Sequence, residues 1–414
     1  PHRPGQKSGT FSIFKQALVG HKKPSGFLHP ARAYLLSPER RVTLEPTYYP
    51  PQPQPYPQPA CYPPQPAAPS FRAKRIHTPR RQGRAALNKT SAIVLAQSAL
   101  GLALQVPIMA LCLSMGVDIL GDKLLLTLFT AALSPLATGL PALIYLLASK
   151  ADWNQVLHFQ KVGFFSAIPW VLAGLGLSLA GNYPAFFLET LLEYLGAAPP
   201  PDVLGQGDSW LGFGLEFLGV AVLVPMVEEF AFRGVIFSTL EKHGTGFAIV
   251  GSSLIFGLAH MNPTSVVFAT IAGLGMALVY AKTRNLWVTV AIHALNNGIA
   301  TFESYLGLLN LGEVKESLLI ALLSIVPMVL GTAAFIFLLV RGHRRKLTRQ
   351  GQLALPAQLS PAPQPDFQPP AQLPLQPQAP ARLKAGSGIL CLLSSPVLWG
   401  LVLVMALETL TMFL

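Results

Sequence analysis

Apolar runs of 18 residues or more recur from about residue 92 to residue 341, and nothing else in the chain constrains its folding so tightly. About 20 consecutive apolar residues cross the roughly 30 Å hydrocarbon layer of a bilayer as one helix. A backbone in lipid must satisfy its own N–H and C=O groups, which favours helices over open strands. The chain is 51% hydrophobic and 12% charged, with mean hydropathy +0.46. These values predict an all-α, polytopic membrane protein rather than one large soluble core.

Eight segments can be drawn, roughly 92–116, 124–148, 162–181, 211–238, 246–261, 264–281, 286–301 and 317–340. A ninth hydrophobic stretch, about 389–414, would put the C-terminus outside if it crosses. The stretch 184–197 reads as a short interfacial helix. Residues 1–88 are Pro-rich and basic, and bury too little apolar surface to offset the entropy of ordering them, so they read as a disordered tail. The domain plan is then tail 1–88, membrane-embedded domain 89–341, basic then Pro-rich linker 342–387, and C-terminal hydrophobic segment 388–414.

The formal charge of +12 invites a nucleic-acid reading, but residues 1–91 hold 15 Lys and Arg against Glu39 and Glu45. The basicity belongs to one tail, and no nucleic-acid partner is expected. By the positive-inside bias that tail is cytoplasmic, and so is the stretch from Arg341. Cys61, Cys112 and Cys391 are far apart with no CxxC spacing, so neither a disulfide framework nor a zinc finger is expected. The N-terminus lacks the apolar core of a cleaved signal peptide. The Pro-rich tails read as linkers before they read as SH3-type ligands for a partner.

Ionisable side chains inside apolar spans are expensive and usually face a cavity, paired with one another. Here they are Glu228, Glu229 and Arg233 on the fourth segment, His260 at the end of the fifth, and His293 with Asn297 on the seventh. Glu229 and Arg233 are i,i+4 neighbours and can pair; Glu228 lies about 100° round the helix and is left to face something else. Phe256 shares a face with His260, as His293 does with Asn297. Measured along helices of about 1.5 Å per residue, all lie roughly 10–21 Å from the predicted cytoplasmic ends. One pocket could hold them.

At these residues the sequence resembles the CAAX protease and bacteriocin-processing family of intramembrane proteases, which includes the type II CAAX prenyl endopeptidases. Three motifs carry the resemblance: Glu228-Glu229-Phe230-Ala231-Phe232-Arg233, Phe256-Gly257-Leu258-Ala259-His260, and His293-Ala294-Leu295-Asn296-Asn297. They stand in order, about 30 residues apart, each on an apolar segment. The resemblance implies that Glu228 and His260 activate the attacking water, that His293 and Asn297 stabilise the oxyanion, and that Glu229, Arg233 and Phe256 support the site. It implies a membrane endopeptidase cutting near the cytoplasmic face, with a membrane-associated peptide or protein as substrate and the bilayer as partner. Glu228, His260 and His293 could hold a zinc with a fourth position for water, or could act without metal, and the sequence leaves both schemes open.

Two rivals keep the same residues. Membrane carboxylates and histidines also build proton-coupled transporters, although no inverted repeat or broken-helix pair is evident. An inactive scaffold or immunity protein would share the fold. No His-Glu-x-x-His, Gly-x-Gly-Asp or Gly-x-Ser-Gly occurs on a segment to suggest another protease class.

Overall fold

The helices start where a short polar side chain can take up the unpaired amides of a first turn. In the computed structural model, which describes residues 78–119, 121–197, 209–353 and 382–413, α1 (Pro79–Ser114) is capped by Thr78 and α2 (Lys123–Ser149) by Asp122 Oδ1, 3.0 Å from Leu125 N. α3 (Phe164–Ala180) runs through Gly181 into α4 (Asn182–Tyr194). α5 (Trp210–Glu241) opens on Ser209, whose Oγ accepts from Gly212 N at 3.1 Å. α6 (Thr245–Leu258) and α7 (Pro263–Thr283) meet in a tight turn where Asn262 Oδ1 caps α7, with Pro263 at its first position. α8 (Leu286–Ser304) is capped by Asn285 Oδ1, 2.8 Å from Trp287 N. α9 (Glu313–Leu353), α10 (Ala385–Leu393) and α11 (Pro396–Thr411) complete the described residues, which fall in one compact unit, Arg72–Leu414.

The protein is an all-α polytopic membrane protein. Among the described residues, six helices are long and apolar enough to cross a membrane: Pro79–Ser114, Leu124–Ser149, Phe164–Tyr194, Trp210–Glu241, Pro263–Thr283 and Glu313–Thr348. Counting α10 with α11, bent by 57° to each other, as one span gives up to seven. All eight segments drawn from the sequence are helical, and α6 and α8 fall outside the six by length and composition. α6 has 14 residues, about 21 Å of rise. α8 carries His293, Asn296 and Asn297 within 19 residues. Of the two, α8 bears His293, and α6 leads into the turn that carries His260.

Three boundaries differ from expectation. α1 starts at Pro79, inside the stretch assigned to the tail, because residues 79–88 have a surface to bury against. Cys391 Sγ lies 3.3 Å from Arg80 O, Ser395 Oγ donates to Asn88 Oδ1 at 2.7 Å, and Leu87 is fully buried. α9 continues to Leu353, into the expected linker. The helix at 182–194 continues α3 rather than standing apart. Residues 1–77 and 354–381, with Cys61 and both proline-rich tracts, lie outside the described residues.

Packing between helices relies on close backbone approach, as expected where lipid is as apolar as the side chains. A Cβ on Gly331 of α9 would stand 2.5 Å from Leu172 O and 2.7 Å from Gly176 Cα on α3. The α6–α7 hairpin is tighter still, since a Cβ on Gly257 would collide with Thr270 Oγ1 and stand 2.7 Å from Val266 O. Backbone cannot yield as a flexible side chain does. Gly257→Ala is therefore expected to destabilise the protein by about 1–3 kcal/mol, read as a midpoint several degrees lower in thermal unfolding of the detergent-solubilised protein. An unchanged midpoint would show that the hairpin accommodates the methyl group.

Candidate active site

The site is built on α5, which is not a uniform helix. Phe217–Leu223 and Phe230–Phe237 are wound as π-helix, flanking the α-helical turn and a half Val224–Glu229 that holds both glutamates. π-turns bond each N–H to the carbonyl five residues back, and they concentrate at functional sites. Val224 N bonds Gly219 O in this way, so the next amide would bond Val220 O. That residue is Pro225, which has no N–H. Its orphaned partner, Val220 O, accepts instead from Asn297 Nδ2 of α8 at 3.0 Å.

The charges sort as their spacing predicts. Glu229 and Arg233, both essentially fully buried, pair through Oε1 and Nη1 at 2.8 Å. Arg233 Nη2 also reaches Gly273 O at 3.4 Å, and its guanidinium carbon lies 4.5 Å from the centre of the Phe256 ring. That stack gives the buried cation a second stabilising partner. What spacing could not show is that His293 stands between the two glutamates. Its Nδ1 is 2.9 Å from Glu229 Oε1 and its Nε2 is 3.6 Å from Glu228 Oε2. An ionised carboxylate only accepts, so Nδ1 carries the proton that Glu229 receives and Nε2 is the atom turned toward Glu228.

His260 comes from the α6–α7 turn. Met261 after it is left-handed, with φ 60°, an unusual conformation for a residue with a side chain, and Asn262 N closes onto His260 O at 2.6 Å. Nδ1 of His260 lies 2.9 Å from Phe256 O, a carbonyl that can only accept, so Nδ1 holds a proton and Nε2 is left for the site. Phe256 is the hub: its ring makes edge-to-face contacts with His260 at 5.0 Å, His293 at 5.7 Å and Phe232 at 4.8 Å.

Glu228 of α5, His260 of the α6–α7 turn, and His293 and Asn297 of α8 line one cavity of about 100 Å³. The structure thus brings together every candidate catalytic residue, with Phe256 in the same wall and Glu229–Arg233 directly behind it. It adds two kinds of lining that the sequence did not single out. One is Asn296, buried and three residues from His293 on the same helical face; two adjacent amides in an apolar helix were the available signal. The other is an apolar wall of Phe268, Ala269, Ala272 and Met276 on α7 with Ser178 on α3, which has no local signal because apolar residues on apolar helices look alike. Among the described residues, no three His, Cys, Asp or Glu side chains are placed to hold a metal ion, so Glu228, His260 and His293 do not fit a ready-made three-ligand centre.

Residues 210–299 match the family model described as "Type II CAAX prenyl endopeptidase Rce1-like". The chain is 36% identical over 139 residues to "Putative membrane peptidase YdiL" of Bacillus subtilis (strain 168), an alignment covering 33% of this chain and 57% of the relative. It is 35% identical over 157 residues to "Membrane-embedded CAAX protease MroQ" of Staphylococcus aureus (strain USA300), covering 36% of this chain and 62% of that protein. The chain therefore spans about six tenths of the length of these curated relatives. No solved structure matches it significantly. The matched segment begins at the first residue of α5 and ends six residues past His293, so the similarity to the Rce1-like type II CAAX prenyl endopeptidases spans all three motifs and the helices around them.

Proposed function

We propose that the protein is an intramembrane endopeptidase in which Glu228 activates a water for attack on a peptide carbonyl. The observation that carries this reading is the meeting of Glu228, His260 and His293 on one small cavity inside otherwise apolar helices. Glu228 takes a proton as the water oxygen bonds to the carbonyl carbon, and His260 Nε2 orients that water. His293, held through Nδ1 by Glu229, turns Nε2 toward the developing oxyanion and stabilises it when that nitrogen carries a proton. Collapse of the tetrahedral intermediate breaks the C–N bond, and the proton held on Glu228 passes to the departing amine.

The substrate class follows from the setting: a membrane-associated or lipid-anchored peptide, cut near the cytoplasmic face, with CAAX-like processing at a C-terminus as the specific form. The N-terminal tail lies on the cytoplasmic side in this reading, supported by its excess of Lys and Arg. The family description and the printed name of the Staphylococcus relative support the same substrate class.

The test is cleavage of a panel of membrane-anchored peptides, prenylated and unprenylated, by the purified protein in liposomes. His260→Ala is expected to lower kcat by about 100-fold or more while leaving the thermal midpoint near that of wild type, since His260 makes its hydrogen bond within its own helix end. Wild-type rates in the variant would remove His260 from the mechanism.

A further inference from the structure

Asn296 is a polar group of the cavity that the mechanism above does not use. It lines the same cavity as Glu228, His260 and His293, and is only 8% exposed. Its orientation is set by a relay of amides. Val220 O, which Pro225 leaves without its helical donor, fixes Asn297 with Nδ2 toward α5 at 3.0 Å. Asn297 Oδ1 then faces Asn296 and accepts from its Nδ2 at 3.4 Å. Turning Asn296 over would set oxygen against oxygen. The relay therefore leaves Asn296 Oδ1 as the end of the line, buried and without a hydrogen-bond partner among the described residues.

A buried acceptor with no partner is costly, and in a site it marks the place of a donor that arrives with the ligand. A peptide substrate carries such donors on its backbone, provided they are not already used. In an intact transmembrane helix each N–H is bonded to a carbonyl four residues back, whereas an extended or unwound segment offers them free.

We infer that Asn296 Oδ1 accepts a backbone N–H of the substrate next to the scissile bond, so that the site takes an extended, non-helical segment. This rests on the proteolytic reading above. It also divides the two asparagines: Asn296 binds substrate, and Asn297 is a positioning residue that ties α8 to the π-turn ahead of Glu228. A chain end, or a stretch that Gly or Pro keeps out of helix, is then a substrate, and an unbroken helix is not.

The test uses a peptide cleaved by the wild-type protein in liposomes, remade with an ester in place of the amide at each position flanking the cut, which deletes one N–H at a time. At one position the ester should lower wild-type kcat/KM by up to about tenfold. Asn296→Ala should lose a similar factor on the all-amide peptide, mainly in KM, and suffer no further loss with that ester. Asn297→Ala should lower kcat and weaken the ester effect in part, because it removes the partner that orients Asn296. Equal sensitivity to the ester in Asn296→Ala and wild type overturns the inference. So does a wild type indifferent to every ester, a result that needs no variant to fold. Failure of wild type to cleave any peptide would instead overturn the proteolytic reading, and this inference with it.

Discussion

Glu228→Gln is expected to abolish nearly all peptide cleavage, with a loss of about 10²–10⁴ in kcat, while the protein folds and melts as wild type does. The substitution keeps volume and hydrogen-bonding shape but removes the group that takes a proton from water. Glu228 is well suited to separating chemistry from structure. It lines the cavity, with His293 Nε2 3.6 Å from its Oε2, and the buried ion pair is made by its neighbour Glu229 instead. The measurement is single-turnover cleavage beside thermal unfolding of the same preparation. Cleavage within a few-fold of wild type would show that Glu228 is not the base, and would return the site to the transporter or scaffold readings.

The second large effect is on stability. Arg233→Met should destabilise the protein by about 3–5 kcal/mol, because it strands the fully buried Glu229 carboxylate with His293 as its nearest partner. The double variant Glu229→Gln with Arg233→Met should recover much of that loss, since both charges go and the carboxamide oxygen of the new side chain can still accept from His293 Nδ1. Thermal midpoints of the single and double variants decide the matter. If the double variant is no more stable than the single, the cost lies in lost packing of the guanidinium over Phe256, 4.5 Å away, rather than in the unpaired charge.

How far the sequence carried these arguments depended on whether the interaction was local. The pairing of Glu229 with Arg233 was legible because it needs only helical period within one segment. That Glu228 would turn elsewhere followed from the same period. The bridging of both glutamates by His293 was not legible, because it requires the rotation of α8 about its axis relative to α5, which no single-segment pattern encodes. Asn297 shows a subtler limit. As an i,i+4 partner of His293 it was expected to face the reacting atoms, and it lines the cavity, but its Nδ2 also donates to Val220 O, a tie that helical period does not predict. The cause is a π-turn ended by Pro225, and a reading that assumes 3.6 residues per turn throughout cannot see it. By length and composition α6 and α8 fall outside the long apolar helices, because one has 14 residues and the other carries its polar chemistry at the expense of hydropathy.

The seam between the first and last described helices has a consequence for how the protein is made. Arg80 and Cys391 are 311 residues apart in sequence, and Asn88 and Ser395 are 307 apart. At about 5–20 residues per second, a ribosome needs on the order of 15–60 s between making the two sides. For that time Leu87 and its neighbours on α1 lack one of the surfaces that bury them, while the helices bearing the motifs are already complete. The cavity should therefore form before the seam closes, with α10 and α11 docking onto α1 only afterwards.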